Sequence, residues 1–195
     1  MKRTLITAPT ETPVTLAEAK LWEVVEHSAD DALITDLIEQ ATDYCQQYTG
    51  RFFVQQTWEY RYDCAPSTPE LVVDGGYNVL EVSTLSITES DLSSTNYLTE
   101  TAISTVFYID RLAEPFRMHP KSGAWDVASS GYDNLAMRLK QGYGAATAVP
   151  DSIKSAILLM VGHLYRNREA TAAIKLENIP FGVSSMLNQY RVIEL

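Results

Sequence analysis

Residues 31–51, DALITDLIEQATDYCQQYTGR, carry the strongest helical pattern in the chain. Their apolar side chains recur at spacings of three and four residues, which places them on one face of an α-helix. They are Leu33, Ile34, Leu37, Ile38, Ala41, Tyr44, Cys45 and Tyr48. Gly50 follows the last of them, where a left-handed C-terminal cap is expected. The stretch therefore predicts a long amphipathic helix with one buried face.

Helical patterns also occur near both ends of the chain. VTLAEAK (14–20) opens a first helix, with Thr15 as N-cap and Glu18 placed for a capping box; this helix is predicted to run to about Val25. After GYGAATAVPD (142–151), an apolar stripe predicts a long helix with Pro150 at its start. A linker containing ENIPFG (177–182) leads to a short amphipathic segment, VSSMLNQYR (183–191).

Between these helices the period changes from about 3.6 residues to 2, which is typical of half-buried strands. In TWEYRYDC (57–64), one predicted face carries Trp58, Tyr60, Tyr62 and Cys64, and the other carries Glu59, Arg61 and Asp63. Further strands are predicted at LVVD (71–74), VLEVSTLSIT (79–88), TVFYID (105–110) and LAMRLK (135–140). The chain is thus predicted to be α+β. A helical core of residues 1–53 and 141–195, made of an N-terminal helix pair, a C-terminal long helix and a short helix, carries an inserted small antiparallel β lobe at 54–140.

The charge of the chain disfavours a DNA-gripping protein. The formal net charge is −10, whereas nonspecific DNA binding relies on Lys and Arg. The acidity lies in the first two thirds, since residues 1–50 hold nine acidic and three basic side chains and residues 141–195 hold four and five. The longest apolar stretch, AILLMVG (156–162), is too short to cross a bilayer. We expect a soluble protein with no membrane partner.

The two cysteines, Cys45 and Cys64, are predicted to lie on the apolar sides of their elements as free thiols. No His or Cys neighbours another at ligand spacing, so no metal site is predicted. DGGY (74–77) and GYG (142–144) do not match a phosphate-binding loop, and no cofactor is predicted.

One stretch, VGHLYRNRE (161–169), concentrates polar side chains on the last predicted long helix. His163 and Glu169 are six residues apart, which on a helix separates them by about 120° and about 9 Å, too far to share a metal or a proton. No catalytic residue is therefore predicted. We interpret the stretch as the polar end of a core helix, with Arg166, Arg168 and Glu169 as candidate subunit-interface residues.

The order of the segments carries more information than any one of them. The segments follow one another in this order: VTLAEAK, an acidic break, the 31–51 helix, QQTWEY (55–60), a β-rich middle, GYG, VPDSIKSAILLMVGHLYRNREA (149–170) and PFGVSSMLNQYR (180–191). The most specific pieces are YTGR (48–51), which closes the second helix, and AILLMVGHLYRNRE (156–169). This set, which spans nearly the whole chain, resembles the head-tail connector (adaptor) proteins of long-tailed bacteriophages and prophages.

The resemblance implies a non-enzymatic structural virion protein. Such proteins form a ring, usually of twelve copies, beneath the portal protein in the neck that joins capsid and tail, and DNA passes through the centre as cargo during packaging. The implied partners are the portal, a stopper or tail-completion protein and further copies of the chain. The implied location is the head-tail interface of the virion, and the host cytoplasm during assembly. The C-terminal segment can reach toward the portal, which makes Met186, Leu187, Tyr190 and Arg191 candidate portal contacts.

Two departures from the family pattern accompany the resemblance. The shortest members are nearly all helical, so the lobe at 54–140 is an elaboration on them, and LWEVV (21–25) is more apolar than the charged sequence expected in the first helix. We hypothesise that the acidic N-terminal part of one copy pairs with the basic C-terminal part of the next.

Two alternatives remain open at this stage. One is a head-completion or stopper protein of the same neck, which tends to be mostly β. The other is an unrelated β-lobed binding module or small enzyme, with a site assembled from distant residues.

Overall fold

The computed structural model of the chain describes residues 1–64, 66–88, 95–127, 132–167 and 181–192. The chain forms two compact units: a β unit of Met1–Pro9 with Gln55–Tyr143, and a helical unit of Thr10–Val54 with Gly144–Leu195. In chain order, the elements are β1 (Lys2–Thr7), α1 (Leu16–Glu23), α2 (Asp31–Thr49), β2 (Gln56–Tyr62), β3 (Leu71–Val72), β4 (Val79–Thr88), β5 (Thr95–Thr99), α3 (Glu100–Val106), β6 (Phe107–Asp110), β7 (Arg117–Pro120), β8 (Leu135–Gln141), α4 (Asp151–Arg166) and α5 (Phe181–Leu187). Helices and antiparallel sheets occur together, and the predicted α+β class is confirmed.

Helix α1 begins with the predicted capping box. The Glu18 amide donates to the Thr15 hydroxyl at 3.2 Å, and the Thr15 amide donates to the Glu18 carboxylate at 2.7 Å. The hydrogen bonds from Thr15, first of all from its backbone, lower the pKa of Glu18. The helix ends at Glu23, two residues before the predicted end, because Val24 adopts a left-handed conformation with φ 56°.

Helices α2 and α4 form the centre of the helical unit. The predicted face of α2 is buried at Ile34, Leu37, Ile38, Ala41 and Cys45. Helix α4 buries Ile153, Ala156, Ile157, Met160 and Val161, and it packs against α1, α2 and α5. Gly50 caps α2 with φ 71° and donates its amide to the Gln46 carbonyl, as its position predicted. Burial raises the pKa of the Cys45 thiol to about 12.

The β unit contains two antiparallel sheets. One has five strands in the order β1-β2-β8-β4-β5, and the other has three in the order β3-β7-β6. Its core includes the fully buried side chains of Tyr60, Leu85, Phe116, Met137 and Leu139. Among the described residues, no helix of either unit is long and apolar enough to cross a membrane.

The residues that form the β unit differ from those predicted from the sequence. Residues 1–9 were assigned to the helical core, but β1 pairs with β2 at the edge of the five-stranded sheet. The Arg3 guanidinium lies over the Trp58 ring at 4.6 Å, a cation–π contact that links the two strands. Strands β5 and β7 and helix α3 were also not predicted, and α3 occupies the first two residues of the predicted strand 105–110.

Two side chains of the β2 region lie opposite to their predicted environments. Glu59 was predicted to face solvent, but its side chain is 7% exposed between Arg138 on β8 and Arg61, at 2.8 and 2.5 Å. Burial acts to raise the pKa of Glu59, but the hydrogen bonds from Arg138 and Arg61 outweigh it and lower the pKa. Cys64 was predicted to be buried; it is exposed because β2 ends at Tyr62.

Candidate assembly interface

The C-terminal segment of the described chain is held by the end of α2. We name Tyr48, Thr49, Gly50 and Arg51 the YTGR cradle, and residues 188–192 the strap. The Val192 amide donates to the Thr49 carbonyl at 2.8 Å, and Arg51 Nε donates to the Tyr190 carbonyl at 2.6 Å. The cradle therefore holds the strap partly through the strap's backbone.

Side-chain contacts add to this attachment. The Tyr48 hydroxyl donates to Asn188 Oδ1 at 2.7 Å, and the Arg191 guanidinium lies over the Tyr48 ring at 5.4 Å. A Cβ atom at Gly50 would lie 3.5 Å from the Val192 Cβ, so the strap runs in contact with the helix cap. All four residues of the YTGR sequence motif thus take part in one local contact.

The four candidate portal-contact residues lie in different environments. Leu187 is fully buried and anchors α5, together with Val183, in the helical unit. Its assignment as a portal contact is corrected, because a side chain packed in the core offers no surface to a partner. Met186 and Tyr190 are half-buried, and Arg191 is exposed.

Of the candidate subunit-interface residues, Arg166 is described, whereas Arg168 and Glu169 lie outside the described residues. Arg166 Nη2 lies 3.1 Å from Glu23 Oε2, and the Glu23 side chain is only 4% exposed although Arg166 is 72% exposed. Helix α4 admits this carboxylate at Gly162, where a Cβ atom would meet Glu23 Oε1 at 2.2 Å. Arg166 is therefore the counter-ion of a buried carboxylate within its own unit.

A polar groove of about 530 Å³ surrounds this ion pair, lined by Trp22, Glu23, Leu159, Gly162, His163, Arg166 and Asn167. His163 is held beside Asn167, which donates to the His163 carbonyl at 2.8 Å. Among the described residues, Glu23 Oε1 has no hydrogen-bond partner. Within the described parts of the chain, no group of three or more His, Cys, Asp or Glu residues could hold a metal ion.

The other two histidines are also in simple surroundings. The His27 backbone carbonyl accepts a hydrogen bond from Lys20, and the His119 ring packs on Tyr108 at 4.8 Å between centroids.

The outer surfaces of α1 and α2 differ in character. Helix α1 exposes Leu21, Trp22 and Val24 by 82%, 47% and 81%, and we name these three residues the α1 knob. Helix α2 exposes the carboxylates of Asp36, Glu39 and Asp43. The helical unit thus presents one apolar and one acidic surface.

Residues 13–90, which include α1, α2 and the YTGR cradle, match the family model of the phage gp6-like head-tail connector protein. The matched segment is similar to this head-tail connector family. The resemblance predicted from the order of the segments is therefore confirmed. Among curated proteins, no sequence matches the chain.

Chains in solved particle structures share the fold of this chain. The first, from the neck of an empty gene transfer agent (GTA) particle computed with C6 symmetry, aligns with a TM-score of 0.78 at 16% identity. A chain from the virion of a native GTA particle has a TM-score of 0.77 at 16% identity, and one from the neck of the native particle computed with C12 symmetry has 0.75 at 15%. Each match covers 100% of this chain and 97% of the other. The β unit is therefore part of the fold that these chains share.

Sequence reasoning missed two features of this chain. It did not predict that YTGR contacts the C-terminal segment, because 140 residues separate Tyr48 from Asn188 and nothing in a single sequence pairs them. It also did not predict that the Glu23 side chain is buried. The available signal was Gly162 in the middle of an apolar helix, which marks a close approach by another group.

Proposed function

We propose that the chain is a structural subunit of the head-tail connector ring of a tailed phage or a phage-like particle. Two findings together support the proposal: residues 13–90 match the connector family, and the whole chain shares its fold with chains from particle necks. The C6 and C12 symmetries of those necks support a ring, for which we propose twelve copies.

The charge of the helical unit suits a ring through which DNA passes. A negative lumen would keep the DNA backbone from adhering during transit. On α1, Glu18 is used in the capping box and Glu23 in a buried ion pair. Both acidic residues of α1 are thus engaged within the subunit, so other acidic residues would supply the negative potential.

The proposed partners are the portal on one side of the ring and a stopper or tail-completion protein on the other. Met186, Tyr190 and Arg191 remain the proposed portal contacts, because the half-buried and exposed side chains of this segment can meet a partner. Arg166, Arg168 and Glu169 remain proposed subunit contacts. The protein would assemble in the host cytoplasm and remain in the virion without catalysing a reaction.

The decisive experiment mixes the purified chain with the portal protein encoded by the same phage or prophage and images the product by negative-stain electron microscopy. We expect an added ring on one face of the portal, with twelve-fold averages. A portal that gains no density at saturating protein would contradict the proposal. If the chain instead added only to portals that already carried another ring, the stopper alternative would replace it.

A further inference from the structure

Helix α1 and its C-cap residue Val24 present apolar side chains to solvent. Ala17 and Leu21 lie about one turn apart on the helix and are exposed, as is Val24; Ala19 is the buried residue of this helix. Leu21 and Val24 are more than four-fifths exposed, and Trp22 beside them is about half exposed. Three large apolar side chains exposed within four residues of one another are a candidate contact site.

The backbone of Val24 strengthens this interpretation. It adopts φ 56° and ψ 43°, a left-handed conformation that is unfavourable for a β-branched side chain. At the corresponding end of α2, the chain uses Gly50 with φ 71°. A valine at position 24 therefore strains the backbone and exposes apolar surface, and glycine or asparagine would avoid both costs. Its side chain is better explained by a contact outside the subunit.

We propose that the α1 knob is one half of the contact between neighbouring copies of this chain, an inference that rests on the proposed ring. A head-to-tail ring requires two different patches on every subunit. The knob adjoins the exposed guanidinium of Arg166, since Trp22 and Arg166 line the same groove.

A second copy offers the complementary charge. Its α2 exposes Asp36, Glu39 and Asp43, and carboxylates facing Arg166 would set the register while the knob supplies buried apolar area. A phosphate-bearing partner is disfavoured by the net charge of −10.

The test uses the full chain with Leu21→Asp, which introduces a charge, and Val24→Asn, which suits the left-handed conformation. Leu112→Asp is the matched control, because Leu112 is 93% exposed on the β unit. We expect Leu21→Asp and Val24→Asn to lower ring occupancy on the cognate portal by about tenfold or more at a fixed concentration. Tm should be unchanged for Leu21→Asp and unchanged or raised for Val24→Asn. Leu112→Asp should assemble like the wild type.

Binding is also measured with labelled protein at sparse occupancy of immobilised portal, where a bound copy has no neighbour. Knob variants should bind there as tightly as the wild type and lose affinity only near saturation. Weaker binding at sparse occupancy would make the portal the occupant of the knob and overturn the inference. Unchanged rings in both variants would overturn it while leaving the proposed function intact, whereas a wild type that forms no ring would contradict the proposed function and the inference together.

Discussion

The strap is expected to open locally without unfolding of the helical unit. The charge-assisted bond from Arg51 contributes about 1 kcal/mol after allowance for solvent, and the Val192–Thr49 bond contributes a similar amount. The Tyr48–Asn188 bond and the Arg191–Tyr48 contact together add about 1 kcal/mol. The total of roughly 3 kcal/mol corresponds to an open fraction of somewhat less than 1%.

Amide hydrogen exchange tests this value directly. The Val192 amide should be protected about 100-fold in the wild type, and Arg51→Ala should reduce that protection about five- to tenfold. Tyr48→Phe keeps the ring and should reduce it about two- to threefold. Gln40→Ala on the exposed face of α2 is the control and should change nothing. A wild-type Val192 amide that exchanges at the rate of an unstructured peptide would refute the reasoning, as would equal protection in Arg51→Ala.

Three further predictions concern stability. The pKa of Glu59 is lowered from 4.5, so its contribution to stability is present above about pH 4.5 and is lost as the pH falls through the lower folded value. Glu59→Gln should thus lower the free energy of unfolding at pH 7 by about 1–2 kcal/mol, which corresponds to roughly 2–8 °C in Tm. The variant should also lose less Tm than the wild type as the pH falls through the acid range, and an equal fall in both proteins would contradict this. Leu187→Ala should lower the free energy of unfolding, measured in urea, by about 2–5 kcal/mol. Met186→Ala, at a half-buried position, should lower it by about 1 kcal/mol or less, and equal losses in the two variants would show that Leu187 is not an anchor. Arg166→Glu should lower the free energy of unfolding by about 1–3 kcal/mol, because it places a second carboxylate beside Glu23. Adding Glu23→Gln to this variant should restore most of that free energy, and simple additivity of the two substitutions would refute the coupling.

The coupling of Arg166 to Glu23 changes the meaning of a charge-reversal experiment at the helix end. Charge reversal of Arg166 and Arg168 was the natural test of a subunit interface. Because Arg166 neutralises a buried carboxylate in its own unit, a loss of rings in Arg166→Glu would report on folding as well as on assembly. Ring assays on this variant therefore need its Tm beside them.

Features that depend on neighbouring residues were predictable from the sequence. Thr15 and Glu18 form their capping box within four positions, and Gly50 terminates α2 because the left-handed conformation suits it. The buried face of α2 followed from its period. In each case, the physical cause lies within a few residues of its effect.

Features that depend on distant residues were not predictable. Glu59 is buried because β8 brings Arg138 beside it, 79 positions further along the chain. Strand β1 is six residues long and all of them are exposed, so it shows no alternation of buried and exposed positions that could reveal it. The environments of Arg166 and the YTGR cradle likewise depend on pairings that a single sequence does not contain.

The discontinuous path of the chain through its two units has a consequence for biosynthesis. Helices α1 and α2 are synthesised before most of the β unit, but α4 and α5, which cover the apolar face of α2, are synthesised after it. The β unit, by contrast, has all its residues once Tyr143 has been made. The β unit can therefore fold co-translationally, while the apolar face of the nascent helix pair remains uncovered. Folding of the helical unit would thus be completed after that of the β unit.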